Sequence, residues 1–124
     1  MKQVNKVEIT VETQYLKNQI PDREQYAFAY KISIHNYGQN SVQLINRYWL
    51  ITDGNGKKTE VQGPGVIGEQ PHISPGESFK YTSGAVLDTP VGTMQGYYEM
   101  QQKDGERFEA TISVFSLAVP NVVN

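Results

Sequence analysis

Apolar residues recur at every second position along most of this chain, and no stretch of it carries the longer period of an amphipathic helix. That pattern restricts the chain to sheets. From Lys6 to Tyr15, Val7, Ile9, Val11 and Tyr15 are apolar while Glu8, Thr10, Glu12 and Gln14 are not, which describes a strand with one wet face. Leu16 to Glu24, with Ile20-Pro21-Asp22, reads as a loop. Tyr26, Phe28, Tyr30, Ile32 and Ile34 form the inward row of a second strand, ended by the turn residues Asn36-Tyr37-Gly38-Gln39-Asn40. Val42 to Thr52 is a third, with Leu44, Tyr48 and Leu50 assigned to one face and Ile45, Trp49 and Ile51 to the other, as in a central strand.

Asp53-Gly54-Asn55-Gly56 is a hairpin turn, and Lys57 to Gln62 a short charged strand suited to an edge. Ser78 to Ser83 is a fifth strand pointing Phe79 and Tyr81 inward, and Gly84 to Gly92 is assigned to a loop. Met94, Gly96, Tyr98 and Met100 alternate in a sixth, Lys103-Asp104-Gly105 turns, and Phe108, Ala110, Ile112 and Val114 line a seventh. The apolar row then moves to Phe115, Leu117 and Val119, and this change of parity predicts a bulge at Val114-Phe115. Pro120 to Asn124 is a tail. The expected fold class is all-β, a seven-stranded antiparallel β-sandwich of immunoglobulin or fibronectin type III-like kind. One domain over residues 1–124 is expected, with an ordered core from about residue 6 to 119.

A chain of 124 residues buries roughly two thirds of its unfolded surface, so it needs no covalent or metal staple. It contains no cysteine, which excludes thiolate metal sites and disulfides, favours fibronectin type III over immunoglobulin kinship, and is compatible with a reducing compartment. Met1-Lys2-Gln3-Val4-Asn5-Lys6 carries no apolar signal region, and the expected location is cytoplasmic. No apolar run approaches the ~18 residues of a membrane span. The net charge of −2 argues against nucleic acid or an anionic membrane surface as a partner.

Gly63-Pro64-Gly65-Val66-Ile67-Gly68 has the G-x-G-x-x-G spacing that cradles pyrophosphate at a helix N-terminus. Pro71 and Pro75-Gly76 leave no room for that helix, so these residues are a glycine loop between strands. Counting strand directions puts Leu16–Glu24, Asp53–Gly56 and Gly84–Gly92 at one end of the sandwich. Asn36–Asn40, Gly63–Glu77 and Lys103–Gly105 fall at the other, which places Lys57 and Lys58 at the wrong end to serve the glycine loop. Two ligand sites are open at the glycine end. One is a small phosphate-containing anion on the loop of Gly63, Gly65 and Gly68, held by the N–H groups of Gly65 to Gly68 and helped by Lys103, against glycines that merely supply unusual φ values and close packing. The other is a divalent cation on His35, His72 and one of Glu69, Glu77 or Asp104, although no close ligand spacing exists and such acids also serve solubility. Asp53-x-Asn55 begins like a calcium loop but has Pro64 where a bidentate Glu is needed.

No motif for a nucleophile, a metalloprotease or a Walker lysine is present, so no cofactor and no catalytic residue are assigned. The favoured function is a protein-interaction module. Arg47 and Trp49, with Ile45, Ile51 and Tyr97, make a candidate apolar and cationic patch on the second face of the third strand, since Arg and aromatic groups are common interface anchors. Burial of Trp49 between two sheets is the competing reading.

Arg47-Tyr48-Trp49-Leu50-Ile51-Thr52-Asp53-Gly54, Gly63-x-Gly65-Val66-x-Gly68-Glu69-Gln70-Pro71, Pro75-Gly76-Glu77, Tyr81-Thr82-Ser83-Gly84 and Pro90-Val91-Gly92-Thr93-Met94-x-Gly96 together closely resemble the ApaG family. The likeness extends to Leu117-Ala118-Val119-Pro120. This resemblance implies a bacterial protein with a fibronectin type III-like sandwich. It further implies a loose link to cobalt tolerance and magnesium efflux, and to a neighbouring dinucleoside-polyphosphate hydrolase. Related domains in larger eukaryotic proteins look like binding modules. The partner implied is another protein.

Overall fold

A computed structural model describes residues 6–17 and 25–120, and every regular element among them is a β-strand. The strands are β1 (Val7–Tyr15), β2 (Tyr26–Asn36), β3 (Val42–Asp53), β4 (Lys58–Pro64), β5 (His72–Ile73), β6 (Ser78–Leu87), β7 (Val91–Gln102) and β8 (Arg107–Ala118). They form two antiparallel sheets, a smaller one in the order β1-β2-β6 and a larger one in the order β4-β3-β7-β8, with β5 also on β3. Most of the expected loop from Leu16 to Glu24 and the tail after Pro120 lie outside the described residues.

The count is eight strands rather than seven because β5, only His72 and Ile73, pairs with Gln43 and Val42 beyond the end of β4. Two residues are too few for alternation to register. β6 also runs on to Leu87, so the expected loop from Gly84 to Gly92 shrinks to residues 88–90. Gly84 sits in the ladder opposite Ala29, where a missing side chain weakens the strand signal without ending the strand.

The inward rows of β2, β6 and β7 are as the alternation predicts: Phe28, Tyr30, Ile32, Ile34, Tyr81, Met94, Tyr98 and Met100 are all buried. So is the parity change in β8. Met94 pairs with Phe115 and Gly96 with Ile112, which leaves Ser113 and Val114 opposite Gln95 alone. Ala110 and Ile112 before this bulge, and Leu117 after it, all face the core.

A second bulge, in β3, is the main departure from the sequence reading. Leu44 pairs with Met100 and Asn46 with Glu99, so Ile45 is the extra residue. Its carbonyl accepts the Gly65 N–H at 2.8 Å and the Gln70 side-chain amide at 2.9 Å, which holds the irregular backbone in place. One added residue turns every later side chain over. Leu44 and Trp49, assigned to opposite faces, are therefore both buried, while Tyr48 faces outward.

Inside the core, the Tyr81 and Tyr98 hydroxyls hydrogen-bond to each other across the sheets. Burial pushes Tyr81 up to about 12 from its ordinary 10.0, and raises Tyr98 further for the same reason. A tyrosine whose folded pKa is raised adds stability that is complete below its unfolded value and is lost as pH climbs through the folded one. Chemical denaturation should thus show a stability contribution of these two tyrosines that is intact up to about pH 10 and falls from there through about pH 12 and beyond. Removing one hydroxyl, by Tyr81→Phe or Tyr98→Phe, should cost about 1–3 kcal/mol because its partner is left buried and unpaired, whereas the double substitution should cost less than the sum.

Candidate functional site

Because the β3 bulge sends Asn46, Tyr48 and Leu50 outward, the outer face of the larger sheet carries rows set by the ladder register. One row is Gln62, Tyr48, Tyr97 and Thr111; the next is Pro64, Asn46, Glu99 and Glu109. Tyr48 and Tyr97 stack with ring centroids 5.1 Å apart and planes 27° from parallel. Around them lies an open groove of about 510 Å³, lined also by Gly63 and Arg47.

The groove's polar groups are unequally occupied. The Tyr48 hydroxyl donates to Glu60 at 2.7 Å, and this bond to a carboxylate is the leading reason its pKa is raised. Asn46 donates to Glu99 at 2.6 Å, and Arg107 pairs with the same carboxylate at 3.2 Å. Glu109, directly across the ladder from Glu99, has neither a hydrogen bond nor an ion pair among the described residues. Like charges facing each other across a ladder are unfavourable, and a bound cation would relieve them. The arrangement offers two stacked aromatic faces beside a free carboxylate, which suits a guanidinium or ammonium group.

Of the two interaction residues expected from sequence, Arg47 borders this groove between Asn46 and Tyr48 but shares the core-side parity of Trp49, and Trp49 does not reach the groove. Trp49 is 2% exposed, with its ring against Tyr30, Tyr98 and Phe115. The expected patch around Trp49 is thus corrected, and Tyr97, expected beside it, is stacked on Tyr48 on the opposite face. Tyr48, Glu60 and Glu99 were not singled out by sequence reasoning. The signal was present as Leu44 and Ile45 side by side, the same parity conflict that marks the bulge in β8.

The glycine loop joins β4 to β5 along one edge of β3. Val66 and Glu69 exchange both backbone hydrogen bonds at 2.9 Å around Ile67 and Gly68, whose φ angles of 43° and 78° make a tight turn with both central residues left-handed. With the Gly65 N–H held by Ile45, only the Ile67 and Gly68 N–H groups at the tip lack a partner among the described residues. Arg47 lies against the start of the loop: its Nη1 donates to the Pro64 and Gly65 carbonyls, both at 3.0 Å, and lies over Gly63, where a Cβ would come within 3.2 Å of it. Lys103 lines a separate hollow with His72, Gln101 and Gln102. Lys57 pairs with Asp88 at 3.8 Å, at the end where strand counting places it.

The residues considered for a cation do not converge either. His35 is on the smaller sheet, its Nδ1 2.6 Å from the Ser78 hydroxyl and its ring 4.1 Å from that of Tyr37, whereas His72 is exposed on β5 of the larger. Among the described residues no three His, Asp or Glu side chains are grouped to hold a metal ion. Glu8, His35 and Ser78 share one row across the smaller sheet, but Glu8 makes no hydrogen bond to the imidazole.

The family model described as the ApaG domain matches residues 16–102. The Protein ApaG of Enterobacter sp. (strain 638) is 56% identical over 117 residues, covering 94% of each chain, and that of Erwinia tasmaniensis 55% identical over 120 residues, covering 96% of each. This chain belongs to the ApaG family. A crystal structure from Bordetella pertussis, 44% identical, superposes with a TM-score of 0.90 over 94% of this chain and 96% of its own. An Archaeoglobus fulgidus protein at 8% identity and TM-score 0.58 shares the fold alone.

The glycines of this ApaG chain divide by what they prevent. Gly65 combines a φ of 62° with a Cβ position that would run into the Glu69 carbonyl, while Gly68 has a φ of 78° and open space around it. Gly65→Ala should therefore cost about 2–4 kcal/mol and Gly68→Ala about 1 kcal/mol, read from denaturant midpoints.

Proposed function

We propose that this ApaG protein is a non-catalytic protein-binding module that receives a cationic side chain of its partner in the Tyr48–Tyr97 groove. The observation that carries this reading is the pairing of a stacked, solvent-facing tyrosine pair with the uncompensated carboxylate of Glu109. Aromatic faces attract an arginine or lysine head and a carboxylate fixes its position, each worth on the order of 1 kcal/mol at an open site. Such affinities suit a reversible contact. The link to cobalt tolerance and magnesium efflux that the family resemblance implies would then run through a partner, since no helix among the described residues is long and apolar enough to cross a membrane. A cytoplasmic setting, where the partner would be met, is part of the same proposal.

The test is an NMR titration of the protein with acetyl-Arg-Arg-amide. Shifts should concentrate at Tyr48, Tyr97, Glu99 and Glu109, weaken with added salt, and require about fivefold more peptide in Glu109→Gln. Absence of shifts at these residues at millimolar peptide, or equal binding by Glu109→Gln and Tyr97→Ala, would overturn the reading.

A further inference from the structure

Three strands face four in this sandwich, and the mismatch leaves a place for one more. β1 packs along β8, Tyr30 of β2 meets Trp49 and Phe115, and Tyr81 of β6 reaches Tyr98 of β7. Among the described residues no ring contact or hydrogen bond between the sheets reaches β4. Val61 shows the consequence: it pairs with Trp49 and so points to the core side of the larger sheet, yet it is 36% exposed where Trp49 is 2%. Thr59, on the same side of β4, is exposed as well. The ledge they form continues into a small cleft lined by Ile51, Thr59, Val86 and Leu87.

The strand bordering this ledge is β6, and no strand among the described residues pairs with its outer edge. Leu16 takes the Ala27 carbonyl on the β1 side and Asn36 donates to Glu77 on the β6 side. With the unbroken register of β2 and β6, that phase points the backbone groups of Lys80, Thr82, Gly84 and Val86 away from β2. None of these groups has a partner among the described residues. Edge strands are normally protected by charge, proline, a bulge or a cover. β4 carries Lys58 and Glu60, β8 carries Arg107, Glu109 and a bulge, and β1 carries Glu8 and Glu12. Between Lys80 and Asp88, β6 has Tyr-Thr-Ser-Gly-Ala-Val-Leu, with no charge, no proline and no break in register.

We propose that the free edge of β6, above the uncovered core-side face of β4, binds an extended segment of a partner protein as a fourth strand of the smaller sheet. Main-chain hydrogen bonds to Lys80, Thr82, Gly84 and Val86 supply the attachment, and alternate side chains of the guest cover Val61, Thr59 and Ile51. The guest is apolar where it covers Val61, Thr59 and Ile51, and the charges bordering the ledge lie at its two ends, Arg47 over Gly63 at one and Asp53, Lys57 and Asp88 at the other. The guest's length is about six to eight residues, given roughly 3.3 Å per residue along β6. A second copy of this chain does not fit as the occupant. Pairing β6 with another β6 would bring the second larger sheet into the layer that the overhanging β4 already fills. This surface is separate from the Tyr48–Tyr97 groove, which lies on the other side of the larger sheet, so either can fail without the other.

The experiment pans a phage-displayed random peptide library on the purified full chain, then follows amide hydrogen exchange with a synthetic copy of an enriched peptide. Enriched peptides should alternate apolar and polar residues, and exchange should slow at least about tenfold at Thr82, Gly84 and Val86. Thr82→Pro removes an outward N–H and leaves the β2 ladder intact, and Val61→Glu places a charge on the ledge at a site already exposed. Each should weaken binding about tenfold or more, while Glu12→Gln on the far edge leaves it unchanged. Failure to enrich any peptide, binding indifferent to both Thr82→Pro and Val61→Glu, or protection confined to β3 and β7 would overturn the proposal. So would a dimer of the free protein that Thr82→Pro dissociates, which would assign the edge to a second copy.

Discussion

One extra residue in β3 decides which way the middle of this protein faces. Ile45 is held out of register by two donors on its carbonyl, the Gly65 N–H and the Gln70 amide, both from the hairpin that follows β4. The bulge and the hairpin therefore define each other. Without the bulge, the parity set by Leu44 would carry Tyr48 into the core and leave Trp49 in water, at the loss of a burial worth about 2–3 kcal/mol for so large a side chain. With it, Trp49 closes the aromatic cluster of Tyr30, Tyr98 and Phe115, and Tyr48 is freed to stack on Tyr97 outside.

The glycine-rich hairpin accordingly has a structural task that its resemblance to a phosphate loop conceals. Gly65 lets the chain pass the Glu69 carbonyl, Gly63 makes room for the Arg47 guanidinium, and Arg47 ties down two carbonyls of the same segment. Of this segment's N–H groups, those of Gly65, Val66 and Glu69 are spent within the protein, and those of Ile67 and Gly68 at the tip have no partner among the described residues. At the same end the buried Asn36 has a comparable role. Its side chain donates to the Asn40 and Ile73 carbonyls and accepts from the Gly38 N–H, so β2, its turn and the short β5 are held by one amide. Both devices organise the loop end without demanding a ligand.

Much of the fold was legible because each long strand has one wet face, and alternation then marks strand and side together. β2, β7 and the β8 bulge follow from the pattern alone. β5 was illegible because two residues cannot alternate, and the end of β6 because Gly84 and Ala85 carry too little side chain to show a face. The groove was hidden for a different reason. On β3 both parities are apolar, so Leu44 and Ile45 fit a central strand and a bulged one equally well. Of the residues singled out for binding, Arg47 borders the groove with its guanidinium tied to the Pro64 and Gly65 carbonyls on the other face, and Trp49 is core.

The sequence by itself determined the sheet class, the antiparallel connections, the end of the sandwich each loop occupies and the family, because these depend on local alternation, turn chemistry and motif order. Tertiary structure alone decided which β3 side chains meet water, that Glu109 has no partner among the described residues, and that among them β4 projects past the smaller sheet beside an unpaired edge of β6. Those outcomes depend on how many strands lie in each layer and which carbonyl a distant hairpin engages. Both are long-range facts, and no window along a single strand contains them.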